Sequence, residues 1–128
     1  FRRVLFRSEV EFDKNLREIN YGILNGVYTI EREEIFPDFR KCYSDITIKF
    51  PEGESFADVI ERIENSLKAA ARKYKGENIA ISSHGRALVS FLNKKFGLNI
   101  FRIDNCDYAQ LIYDDETDDF EPVILPKN

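Results

Sequence analysis

The chain contains a single histidine, His84, and the residues around it suit it for chemistry. It follows the run Ile79-Ala80-Ile81-Ser82-Ser83 and precedes Gly85 and a helical pattern from Arg86 to Phe96. A strand that runs through glycine into a helix sets its last residue at the carboxyl edge of a parallel sheet, where open α/β sheets bind ligands. The helix beyond it offers unpaired backbone N–H groups and a positive dipole end to an anion. An imidazole at such a place suits chemistry on a phosphate. From this segment alone, a histidine that only packs or caps is the alternative.

Several elements must position it. Val10-Glu11-Phe12 alternates like a short strand, Asp13-Lys14-Asn15 reads as a turn, and Gly22 and Gly26 break the stretch from Leu16 to Gly26. Residues 30–42 suggest a short helix stopped at Pro37. Ser55, with Asp58 three residues on, resembles a capping box. Phe56, Val59, Ile60, Ile63, Leu67, Ala70, Ala71 and Tyr74 then recur at helical spacing, and Gly76 is a plausible stop. In the helix after His84, Leu88, Phe91, Leu92 and Phe96 share one face, and Gly97 closes it. Tyr108 to Tyr113 and Phe120 to Leu125 read as strands around the acidic turn Asp114–Asp119, with Pro122 marking an edge. That turn lacks the glycine and the final glutamate of a calcium loop, so a solvated turn is expected.

Composition bounds the function. A length of 128 residues and an apolar content of 43% describe one ordinary domain, and no apolar run approaches the ~20 residues of a membrane span. Cys42 and Cys106 lack paired spacing, so a reduced, cytoplasmic setting is expected and no zinc site or other metal centre is implied. Residues 1–8, Phe1-Arg2-Arg3-Val4-Leu5-Phe6-Arg7-Ser8, resemble the in-frame translation of a short-read sequencing adapter and read as a scar, with 9–128 as the domain. Setting aside their three arginines takes the net charge from −4 to −7. An acidic domain without a basic stripe speaks against nucleic acid as a partner, and an anionic substrate must be held by a few local cations.

Three segments in order carry a resemblance. Leu16-Arg17-Glu18-Ile19-Asn20-Tyr21-Gly22 through Gly26 follows the pattern L-x-E-x-x-(F/Y)-G-x-x-x-G. Pro51-Glu52-Gly53-Glu54-Ser55 with Arg62 follows (P/G)-x-G-E-S-x6-R, and Ser83-His84-Gly85 stands behind an apolar strand. Together they resemble the histidine phosphatase superfamily, the clan of phosphoglycerate mutases and histidine acid phosphatases, across residues 9–125. The resemblance implies an α/β fold of three layers, helices flanking a mostly parallel sheet. It implies a phosphoryl group taken by a nucleophilic histidine and passed to water, which is covalent catalysis without a cofactor. His84 matches the second histidine, which stabilises charge on the transferring phosphoryl group. Glu18 matches the proton donor to the leaving oxygen. Gly85 would let its N–H approach the same oxygens, and Tyr21 and Arg86 are candidate substrate contacts. Glu54 and Arg62 are expected to pair, half-buried, and pin a loop without taking part in chemistry.

The family's Arg-His-Gly triplet, which carries the nucleophile, has no match here. It is expected upstream of Val10, making this chain an incomplete, carboxyl-terminal portion of one domain, poorly stable alone and inactive. Mutases of the family usually carry arginine directly after the matched glutamate, where this chain has Ile19, and tend to insert structure where residues 26–53 are short. Both departures favour a phosphatase acting on a small phosphorylated metabolite. Mutase-type transfer and non-catalytic binding of a phosphorylated ligand are the alternatives. A third reading, a hydrolase using Cys106 or Ser83, lacks a recognisable nucleophile elbow.

Overall fold

The structure is a computed structural model that describes residues 10–126. In chain order it holds two single-turn helices, α1 (Arg32–Ile35) and α2 (Lys41–Ser44), and two longer ones, α3 (Phe56–Lys73) and α4 (Gly85–Phe96). A hairpin of β1 (Gln110–Asp114) and β2 (Asp119–Ile124) comes last. The scar reading of residues 1–8 lies outside the described residues. Among the described residues no helix is long and apolar enough to cross a membrane.

The capping box starts α3 as the spacing predicts. The Ser55 hydroxyl accepts from the Asp58 N–H at 3.1 Å, and the Asp58 carboxylate accepts from the Ser55 N–H at 2.9 Å. Phe56, Val59, Ile63 and Ser66 are buried along one face. The helix ends at Lys73, one turn before Gly76, whose φ of +80° reverses the chain. In α4, Ala87, Val89, Phe91 and Leu92 are buried, and Gly97 closes the helix in the left-handed region at φ +64°. The Asn93 side chain then grips the backbone of Ile100 through both its groups, at 2.9 and 3.0 Å, and folds the chain back onto the core. Pro37 stops α1 as expected, and the chain resumes a single helical turn at α2.

Phe50 is the centre of the core. Its ring lies 4.9 Å from Tyr21, 5.7 Å from Phe56 and 5.8 Å from Phe39, centroid to centroid. It is almost fully buried, and it joins the loops before α3 to the helix itself.

The sheet differs from the expectation. Instead of a mostly parallel sheet, the described residues form one two-stranded antiparallel sheet, Tyr113 opposite Phe120. A hairpin closed by a short turn can only pair antiparallel, whereas parallel pairing needs a crossover and a neighbouring strand. The 79–83 segment forms neither helix nor strand and finds no ladder partner among the described residues, and Ile79 and Ile81 stand exposed at 40% and 37%. Val10–Phe12 likewise pairs with no strand there. Pro122, which has no N–H, falls at the irregularity in the hairpin register. The acidic turn is also more than a solvated loop. Lys68 and Arg72 of α3 meet Asp118, Lys95 of α4 meets Asp119, and Lys75 meets Asp115 at 2.6 Å. These cations seat the hairpin on both long helices.

Two loops cross between the helices, and one ion pair fixes the crossing. Arg62 of α3 binds Glu54 through two nitrogens at 2.8 and 3.1 Å, with both side chains largely buried at 11% and 14% exposure. Its remaining hydrogen bonds go to the backbone carbonyls of Asn15, Arg17 and Glu18. Glu54 also accepts from Arg17 at 2.7 Å and from the Asn20 N–H at 2.9 Å. The backbones touch beside this pair. A Cβ on Gly22 would fall 1.9 Å from the Pro51 carbonyl oxygen, and one on Gly53 would fall 2.4 Å from that of Asn20. Gly22 also has φ +61°, so glycine is needed there twice over. The half-buried pair expected from the sequence is present, with a wider reach than expected.

Removing the guanidinium in Arg62→Ala takes two of its four hydrogen bonds from the largely buried Glu54 carboxylate and frees three carbonyls, and urea unfolding should show a loss of about 3 kcal/mol. Gly53→Ala should lower the thermal midpoint, because backbone oxygen blocks the new methyl group. Burial pushes the Glu54 carboxyl up, but hydrogen bonds from Arg62 and the Asn20 N–H, with the charges of Arg62 and Arg17, hold it below its ordinary 4.5. That stability is present above pH 4.5 and is lost as the pH falls through the folded-state value. Acid unfolding followed by circular dichroism should therefore be shallower in Glu54→Gln than in the parent chain.

Candidate active site

The same clamp positions Glu18. Arg62 holds the carbonyls of Arg17 and Glu18, and the Ser83 hydroxyl donates to the Leu16 carbonyl at 2.6 Å. The loop therefore runs past the start of α4. Asn20 and Asn25 shape the turn beyond it: the Asn20 side chain accepts from the Gly22 N–H at 3.0 Å and from Asn25 at 2.7 Å.

The Glu18 carboxylate sits on the N-terminus of α4. One oxygen accepts from the Ala87 N–H at 2.8 Å and the other from the Arg86 N–H at 3.0 Å, across 69 and 68 residues of chain. The first oxygen also accepts from the Ile19 N–H at 3.0 Å. Helix starts carry unpaired N–H groups and partial positive charge, and a carboxylate satisfies both. His84 is the cap residue by position, with extended backbone at φ −118°, and its side chain makes no capping hydrogen bond. The cap is supplied by Glu18, and the imidazole is left exposed beside it.

Gly85 is exposed too, and a Cβ there would meet nothing within 4 Å, so the face above it is open. The Arg86 guanidinium turns toward α2 and lies 5.8 Å from the Tyr43 ring centre. Tyr21 is wedged between the Phe50 edge and the Arg32 guanidinium, which lies 4.7 Å from the ring centre. Burial pushes the Tyr21 hydroxyl up to about 12; Tyr43 and Glu18 add to the effect, while Arg86 and Arg32 oppose it. Tyr21 thus keeps its proton at neutral pH and shares one electrostatic neighbourhood with Glu18 and Arg86.

The structure gathers Glu18, His84, Gly85 and Arg86 at one helix end and sets Tyr21 at its flank. Sequence reasoning missed Arg17, Asn20 and Tyr43. Arg17 and Asn20 stand within the first motif, so their position was visible but their bonds to Glu54 were not. Tyr43 carries no local signal. Among the described residues no group of three or more His, Cys, Asp or Glu side chains is placed to hold a metal ion. Ser83 donates its hydroxyl proton to a backbone carbonyl, which is not the arrangement of an activated nucleophile. Cys42 is buried and Cys106 exposed, both as free thiols.

Comparison with known proteins places this geometry. The chain is 27% identical over 112 residues to the probable phosphoglycerate mutase GpmB of Shigella dysenteriae serotype 1 (strain Sd197). The Escherichia coli (strain K12 / DH10B) protein of the same name matches with the same identity over the same length. In each case the alignment covers 82% of this chain and 52% of the relative, so the chain spans about half the length of the curated relatives it matches. No solved structure matches the chain. The sequence model of the histidine phosphatase superfamily (branch 1) matches residues 3–123. That span includes the clamped loops, the capped helix and the hairpin, and the chain belongs to the histidine phosphatase superfamily, an α/β family.

Proposed function

We propose that the protein carrying this chain hydrolyses phosphomonoesters through a phosphohistidine intermediate. One observation carries the reading: a carboxylate and the only histidine of the chain, distant in sequence, meet at a helix start suited to anions. Two backbone N–H groups hold Glu18 there, so a proton leaves it from a fixed position.

In the proposed reaction a histidine nitrogen attacks phosphorus and the bond to the leaving oxygen breaks. Glu18 gives that oxygen its proton. His84, with N–H directed at the equatorial oxygens, stabilises the charge spread over them. Water then attacks the phosphohistidine, Glu18 takes its proton back, and the imidazole leaves. The nucleophilic histidine has no counterpart in residues 1–128, so the reaction is one of this chain together with the segment that supplies it. In that whole, the 79–83 segment joins a mostly parallel sheet flanked by helices in three layers, which would cover Ile79 and Ile81. The substrate is a small phosphorylated metabolite, and free thiols at Cys42 and Cys106 accord with a cytoplasmic setting.

Mutase-type transfer is the second reading, favoured by the names of the relatives. It differs only in the acceptor, a second substrate hydroxyl in place of water. Ile19, where mutases of the family usually carry arginine, favours water.

The test uses the protein of the complete reading frame that contains these residues. Incubation with phosphomonoesters should release inorganic phosphate and trap an acid-labile, base-stable phosphoenzyme. Glu18→Gln should lower kcat by about 10²- to 10⁴-fold, and His84→Ala by about 10²-fold or more. Unchanged turnover in His84→Ala would overturn the assignment. Isomerised phosphoglycerate in place of free phosphate would establish the mutase reading instead.

A further inference from the structure

A groove of ≈ 270 Å³ lies along α4 and shares only Arg86 with the candidate active site; Arg86 lines it toward the helix start and Lys94 toward the helix end. Eight residues of helix separate the two, a rise of ~12 Å. Tyr43, Phe56 and Ile60 form an apolar wall, with the two rings 5.1 Å apart. The polar groups in the groove are already committed. Asn93 is spent on the Ile100 backbone, and the Ser90 hydroxyl donates to the Arg86 carbonyl.

Among the described residues neither of the two cations meets a carboxylate, and Arg86 faces only the Tyr43 ring, at 5.8 Å. The chain is acidic, and Arg62, Lys68, Arg72, Lys73, Lys75 and Lys95 all meet carboxylates. Among the described residues neither Arg86 nor Lys94 has a carboxylate partner, and no acidic side chain lines the groove. An apolar slot with a cation that has no carboxylate partner toward each end is complementary to a ligand with an apolar body and an anion at each end. Arg86 also belongs to the helix start where the phosphate is expected.

We propose that this groove takes the part of the substrate that does not react: an aromatic or branched aliphatic body whose far end bears a second anionic group, held by Lys94. The proposal rests on the hydrolase reading only for which end carries the phosphate.

The test titrates the protein of the complete reading frame with (4′-carboxybiphenyl-4-yl)methylphosphonate and with the same phosphonate lacking the carboxyl group, by calorimetry. The carboxylated ligand should bind about tenfold tighter. Lys94→Glu should erase or reverse that preference and Lys94→Gln should erase it, the latter with little change in the unfolding midpoint because Lys94 meets no carboxylate in the fold and only its helix-end charge is lost. Equal affinities in the parent chain, a preference that survives Lys94→Glu, or no binding of either ligand at millimolar concentration would each overturn the site. Phosphate release by the complete protein from phosphomonoesters with and without a second anionic group separates the two readings. If turnover fails while the Lys94-dependent preference holds, the hydrolase reading falls and the groove stands. If turnover holds without the preference, the reverse is true.

Discussion

The bidentate contact between Arg62 and Glu54 is the constraint on which the site depends. A guanidinium has five donors in a rigid fork, and here they serve one carboxylate and three backbone carbonyls. A lysine could neutralise Glu54 but could not reach those carbonyls in the same geometry. Because the carbonyls belong to Asn15, Arg17 and Glu18, the position of the Glu18 backbone is set from α3. Its carboxylate is set from α4. The candidate acid is therefore held between the two longest helices, with Phe50 packed beneath the crossing loops.

Charge is distributed unevenly over this frame. Lys68 and Arg72 on α3, and Lys95 on α4, are used to seat the acidic hairpin and to tie the helices together through Glu64, which Lys68 and Lys95 share at 3.2 and 2.8 Å. Burial raises the Glu64 carboxyl, and those two lysines more than offset it, so the net direction is down. The hairpin is thereby an electrostatic brace on the far side of the helix pair. Near the site the pattern inverts, with backbone N–H groups, Arg86 and a proton-holding Tyr21 around one carboxylate.

Much of this was legible in the sequence because the signals were local. Ser55 and Asp58 announced the α3 cap, Gly97 the end of α4, and Pro37 the end of α1, each by a backbone rule that needs no distant partner. The three motifs announced the site because glycine and charged residues stood at fixed spacing. Gly22 and Gly53 illustrate the limit. Each reads as a turn residue in sequence, and only the fold shows that they exist to let two backbones touch. The strand expected at 79–83 shows another. Its apolar pattern specifies an extended segment facing something apolar, but a ladder is a property of two strands, and hydrogen-bond partners are not encoded in the segment itself. The cap of α4 could not be read locally at all, since the capping residue lies 68 residues from the Arg86 N–H that it accepts from.

That remote cap has a further consequence for recognition. An anion arriving at the start of α4 finds its donors already engaged by a tethered carboxylate. Glu18 acts there as a built-in competitor whose local concentration is fixed by the fold, in the millimolar range or above that short tethers give. A singly charged visitor with two acceptor oxygens offers the helix nothing that Glu18 does not. A dianion with three acceptor oxygens does. The helix end is thus a threshold as much as a receptor: an incoming anion must displace a tethered carboxylate before the backbone donors are free to it.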